Sequence, residues 1–164
     1  MAIIIVKVAG MVMENGDYEY EVNAALLHDA AEDKGGEDIL SEIREKFGEK
    51  TAQIVADCSD TFEDPKPLWE ERKKKYIKEL PNKDASSRLV SLADKIHNAR
   101  SILKDYLEIG DKLWERFNAS KENTIWYYRA LLECFQEVDE PNHRMLVNEL
   151  QDIINKLEEA MEKK

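Results

Sequence analysis

The chain has 164 residues, enough for one domain with a real core and too few for two comfortable ones. Its 35 acidic and 24 basic side chains leave a net charge of −11, which argues against a nucleic-acid backbone as the main partner, because that partner demands a basic surface. Cys58 and Cys134 stand far apart with no CxxC pair, so neither a disulfide framework nor a cysteine zinc site is indicated, and a reducing cytoplasm is the expected setting.

Apolar residues recur at three- and four-residue intervals along almost the whole chain, which predicts helices throughout. The opening "MAIIIVKVAGMVM" is too short to span a bilayer and lacks the basic n-region and small-residue cleavage site of a signal peptide. A buried first helix through Ile5, Val8, Met11 and Val12, ended by Asn15 and Gly16, is expected instead. A second helix is predicted through "YEVNAALLHDAAED", ending before Gly35 and Gly36. "EDILSEIREKFG" and "EKTAQIVADCSD" repeat the pattern. After a break at Pro65 and Pro67 it resumes from Leu68 to about Leu80.

The next helix opens with Pro81 and carries Leu89, Leu92, Ala93, Ile96, Ala99 and Leu103 on one stripe. "GDKLWERFN" and "SKENTIWYYRALLECFQEV" make two more. In the tail, Leu146, Leu150, Ile153, Leu157 and Ala160 alternate four- and three-residue steps, a short heptad-like stripe suited to packing on the domain or on a second copy. No β-alternation, internal repeat or low-complexity linker interrupts this pattern. The expected fold is all-α.

The stretch "ALLHDAAED" carries the chemistry. On a continuous helix His28 sits over Glu32 and Asp29 over Asp33, so one imidazole and three carboxylates share an edge. Like charges so close repel unless a cation neutralises them or some take up protons. A divalent metal answers that need, since imidazole and carboxylate suit zinc, manganese, iron or magnesium-class ions. The plain alternative is a solvated face with one chance histidine. A second stretch, "SLADKIHNAR", sets Asp94 directly after Leu92 and Ala93 in a stripe that otherwise reads as core. Asn98 lies one turn on, while Lys95 and His97 turn elsewhere. A carboxylate in an apolar stripe needs a partner: a metal shared with His28 and Asp29, or one of the many lysines and arginines.

Together, "LLHDAAED" and "SLADKIHN" resemble the paired motifs of the HD-domain metal-dependent phosphohydrolases, and among them the RelA/SpoT-type hydrolase domain and the small alarmone hydrolases. The likeness covers roughly residues 4–137 and includes the joining segment "SDTFEDPKPLWEERKKKYI". It implies a single HD-domain helical bundle over residues 1–140, with 141–164 as a C-terminal amphipathic helix. It implies that His28, Asp29 and Asp94 ligate a divalent metal, manganese first, with zinc, magnesium or iron as alternatives. Glu32 and Asp33 would then serve the attacking water as general base and supporting carboxylate. Asn98 would contact the nucleotide at its sugar, with Lys95 as a further substrate contact. The implied reaction removes pyrophosphate from the 3′ position of a ppGpp-like nucleotide. The implied partners are this small molecule and, by way of the tail, a second copy, with no membrane and no nucleic acid.

One departure stands out. The family's further metal-binding histidine, laid on this chain without gaps, falls on Ile4, and the basic and aromatic residues that usually precede it are missing. A degenerate, non-catalytic HD-fold module that binds a nucleotide or a protein is therefore the alternative. Elsewhere, Arg72, Lys73, Lys74 or Lys75 of "ERKKKYIK" could hold phosphates or form a solvated face. Trp126 or Tyr127 could stack a base or fill the core. His97 is expected to pack behind the ligands.

Overall fold

The computed structural model describes residues 2–34, 36–63 and 65–163, giving the backbone alone for residues 2–4, 33 and 34. Among the described residues there is no strand. The chain packs as two compact units, residues 1–94 and 95–164.

The first unit holds α1 (Ala2–Asn15), α2 (Glu19–Leu27), α3 (Ala30–Lys34), α4 (Gly36–Phe47), α5 (Glu49–Cys58), α6 (Trp69–Glu79) and the start of α7 (Ala85–Ile109). α1 packs on α2, α2 on α5 and α4 on α5, with α3 against both α4 and α5. The apolar stripes predicted from the sequence form the interior: Val8, Val12, Ala24, Ala25, Ile54, Val55 and Leu89 are buried. Local chemistry sets the boundaries. The Gly16 amide donates to the Val12 carbonyl at 2.7 Å and closes α1. Gly48, at φ +88°, ends α4 and begins α5 in a backbone region that glycine enters without a Cβ clash. Pro65 and Pro67 keep the segment before α6 out of the helical ladder. Asp84 caps α7, its Oδ1 accepting the Ser87 amide at 2.8 Å.

The expected continuous helix through "YEVNAALLHDAAED" is two. α2 stops at Leu27, His28 and Asp29 form a turn, and α3 restarts at Ala30. The cause is local. The His28 ring donates from Nδ1 to the Ala25 carbonyl at 2.7 Å, competing for the acceptor that the Asp29 amide would use in an unbroken helix.

The second unit contains the remainder of α7, a 3₁₀ segment (Gly110–Arg116), α8 (Lys121–Val138), a short 3₁₀ turn (Pro141–His143) and α9 (Arg144–Glu162). "GDKLWERFN", expected as an α-helix, is this first 3₁₀ segment. Gly110 takes φ +62° and halts α7 there. Ser120 caps α8 by accepting the Asn123 amide at 3.1 Å. α9 packs on α8 and buries Leu146, Leu150, Ile153 and Leu157. Arg129 of α8 bonds to Asn155 at 3.0 Å and to Glu158 of α9. Among the described residues no helix is long and apolar enough to cross a membrane.

Candidate functional site

The turn between α2 and α3 presents His28 and Asp29 together, and α7 brings Asp94 to the same place. His28 Nε2 lies 3.3 Å from Asp29 Oδ2 and 3.4 Å from Asp94 Oδ1. His28 is 3% exposed and Asp94 7%, whereas half of the Asp29 side chain faces solvent. The bond from Nδ1–H to Ala25 O fixes the tautomer of a neutral ring and leaves Nε2 with a bare lone pair. That lone pair faces two carboxylates, and Nε2 is buried without an aligned hydrogen bond.

Three electron-pair donors turned on one another demand a positive charge among them. A proton or a metal cation can meet that demand. Burial alone would lower the His28 pKa, but the carboxylates of Asp29 and Asp94 outweigh it and raise the pKa to about 10. Among the described residues no group of three His, Cys, Asp or Glu side chains stands in a ready-made ligand arrangement. The donor set nevertheless fits a divalent cation in kind, with one imidazole nitrogen and two carboxylates, and the orphaned Nε2 is the atom such a cation would engage.

Glu32, on α3, is half-buried, and its Oε1 accepts from Lys66 Nζ at 2.9 Å. The side chain of Asp33 and the position of the missing histidine, Ile4, lie outside the described residues. Lys95 and Asn98 follow Asp94 along α7 within the second unit, both half-buried. His97 is buried. Tyr127 is buried edge-on against Tyr128, with ring centroids 5.8 Å apart, while Trp126 is partly exposed.

The basic run divides, with Lys74 and Lys75 on a solvated face and Arg72 and Lys73 turned to a carboxylate. Arg72 Nη1 and Lys73 Nζ both bond to Asp60 Oδ2, at 2.6 and 2.5 Å, and the Asp60 side chain is 5% exposed. Burial would raise the Asp60 pKa, but Lys73 and Arg72 together hold the carboxyl below its ordinary value. Lys74 pairs with Glu70 at the surface. Sequence reasoning did not pick out Lys66 or Asp60. The flanking prolines of "DPKPL", which hold Lys66 in a stiff extended loop, were the available signal for the first.

The profile of the HD domain matches residues 3–123. The guanosine-3′,5′-bis(diphosphate) 3′-pyrophosphohydrolases of Mus musculus and Homo sapiens are each 35% identical over 81 residues, which is 49% of this chain and 42% of theirs. The matched stretch thus spans less than half the length of those relatives. A crystal structure of a Listeria monocytogenes protein superposes with a TM-score of 0.74 at 25% identity, covering 93% of this chain and 94% of that one. A metazoan SpoT ortholog, described as hydrolysing ppGpp, superposes with a TM-score of 0.70 at 19% identity, covering 94% of this chain and 80% of its own, and shares the fold. With the profile extending across most of the sequence and the two motifs meeting in the fold, this chain belongs to the HD-domain family.

Proposed function

We propose that this chain is a metal-dependent phosphohydrolase that removes pyrophosphate from the 3′ position of a ppGpp-like nucleotide. The observation that carries the reading is the buried His28 Nε2, set between Asp29 and Asp94 with no hydrogen bond of its own. In this reading His28, Asp29 and Asp94 hold a divalent cation, manganese first. Such a cation, when bound, neutralises phosphate charge and acidifies water in its reach.

The remaining steps fall to the chain's own groups. Glu32 takes the proton of the attacking water as its oxygen bonds to phosphorus, and Asp33 orients that water. The bond from phosphorus to the 3′ oxygen breaks, and the proton collected by Glu32 passes to that oxygen, leaving a 3′ hydroxyl and free pyrophosphate. Lys66, 2.9 Å from Glu32, holds the carboxylate in place beside the turn. Asn98 and Lys95 steady the nucleotide. Two cysteines that form no disulfide suit a cytoplasmic setting.

The alternative, a nucleotide-binding module without turnover, draws its support from Ile4, where the family's further histidine is expected. Incubation with ppGpp and manganese separates the two. Release of pyrophosphate by the parent and its loss in Asp29→Ala support the enzyme. Nucleotide binding with no release in the parent supports the module.

A further inference from the structure

Glu21 is a carboxylate that the proposed chemistry does not use, yet it is 4% exposed and hydrogen-bonded at both oxygens. Its Oε2 accepts the amides of Asp17 at 2.9 Å and Tyr18 at 3.1 Å, satisfying donors at the start of α2. Its Oε1 accepts the hydroxyl of Ser86, at the start of α7, at 2.6 Å. Those two helices meet a second time at His28 and Asp94. Glu21 precedes His28 by seven residues and Ser86 precedes Asp94 by eight. On a helix those separations return to one face, about 10–12 Å farther along the axis.

We infer that Glu21 and Ser86 form a positioning pair that sets the spacing at which His28 and Asp94 face each other. A buried bond between two helix starts fixes how far each can slide or roll against the other, because a displaced carboxylate would lose its partners without gaining water. Farther along, just past the end of α2, His28 Nε2 lies 3.4 Å from Asp94 Oδ1 of α7. Gly16 belongs to the same arrangement. A Cβ there would press on Glu21 Oε2 and lie 2.9 Å from the Val12 carbonyl and 3.1 Å from Leu89 Cδ2. The missing side chain is what lets the carboxylate seat itself. The inference rests on the metal reading of the site in its consequence for affinity, and on the fold alone in its consequence for spacing.

The test compares the parent with Ser86→Ala, which removes the tie while leaving the two cap bonds of Glu21, and with Glu21→Gln, whose oxygen can accept the two amides while its nitrogen donates to the Ser86 hydroxyl. Ser120→Ala, which removes the cap of α8, serves as the control for an ordinary loss of stability. Two quantities are measured well below the unfolding temperature: amide hydrogen exchange of the metal-free proteins and manganese affinity by calorimetry. Ser86→Ala is expected to speed exchange at the end of α2 and around Asp94 together, with α9 unchanged. It is also expected to weaken manganese binding about tenfold, with Glu21→Gln recovering most of that loss and Ser120→Ala showing none. Exchange that is unchanged, or that rises equally in α9, overturns the inference. So does a Ser86→Ala protein that binds manganese as the parent does. If the parent binds no manganese while the two segments still loosen together, the metal reading falls and the positioning pair stands.

Discussion

Residues 1–94 hold buried and partly buried polar side chains that bond between elements: Glu21 to Ser86, Asp57 to Ser87 at 2.7 Å, Tyr76 to Ser91 at 2.5 Å, and Asp60 to Arg72 and Lys73. In residues 95–164 the ion pairs of Arg144 with Asp139 and of Arg129 with Glu158 sit near the surface, while His97, Thr124 and His143 are buried. The interior there is dominated by apolar and aromatic side chains such as Tyr106, Leu113, Leu131, Leu150 and Ile154. Apolar burial is roughly proportional to area and tolerates small shifts. A buried polar pair is directional, and a small shift costs the bond and the desolvation of both groups. The buried polar bonds of the first unit therefore fix distances beside the site. His28, Asp29 and Asp94 lie in the unit whose polar groups can hold an imidazole against two carboxylates.

The sharpest test of that contrast uses a polar group of the first unit in which stability should hardly matter. Glu32→Gln keeps shape and removes the base, so hydrolysis should fall about 100-fold to 10,000-fold with little change in manganese affinity or melting temperature. Equal rates for parent and variant would remove Glu32 from the reaction. Asp60→Ala should act in the opposite manner. It removes the carboxylate that Arg72 and Lys73 share and should cost about 3–5 kcal/mol in denaturant unfolding. Asp60 also has a pH signature. Its folded pKa lies below the ordinary carboxyl value, so its contribution is complete above that value and lost as pH falls through the folded pKa. The stability gap between parent and Asp60→Ala should close in acid below about pH 4, and a gap that widens there would contradict the pairing.

In the second unit, Leu150→Ala should cost about 2–5 kcal/mol through lost burial and the cavity left behind, and the loss should show no such acid dependence. Arg129→Ala removes a half-exposed partner of Glu158 and should cost less than about 1 kcal/mol. A larger loss in that variant, measured by thermal unfolding, would mean that the surface pairs of the second unit do carry stability and would blur the contrast.

Much of the helical pattern was legible because one physical signal, apolar residues at helical spacing, governs both the sequence and the burial. Val8 and Val12 in α1, Ile54 and Val55 in α5, and Leu146 to Leu157 in α9 lie inside as that spacing predicts. The break at His28 was not legible, since it comes from a ring bonding to the Ala25 carbonyl, and hydrophobic periodicity carries no record of side-chain bonds to backbone. Nor did the pattern distinguish an α-turn from the 3₁₀ geometry of Gly110–Arg116. In the candidate site, two motifs named His28, Asp29 and Asp94, which the fold brings within 3.4 Å of one another through Nε2. Lys66 and Asp60 escaped notice because their partners are fixed by a loop path and a helix start, 34 and 12 residues away. Pairings of that kind leave no periodic trace.

The central claim is that the His28 cluster is a metal site, and a manganese titration of the parent and Asp94→Ala by calorimetry tests it most directly. The account predicts one weak site per chain in the parent, weak because Ile4 stands where a further ligand is expected, and no measurable binding in Asp94→Ala with its fold intact. Binding of equal affinity in both proteins, or no binding in the parent at any accessible manganese concentration, would contradict it.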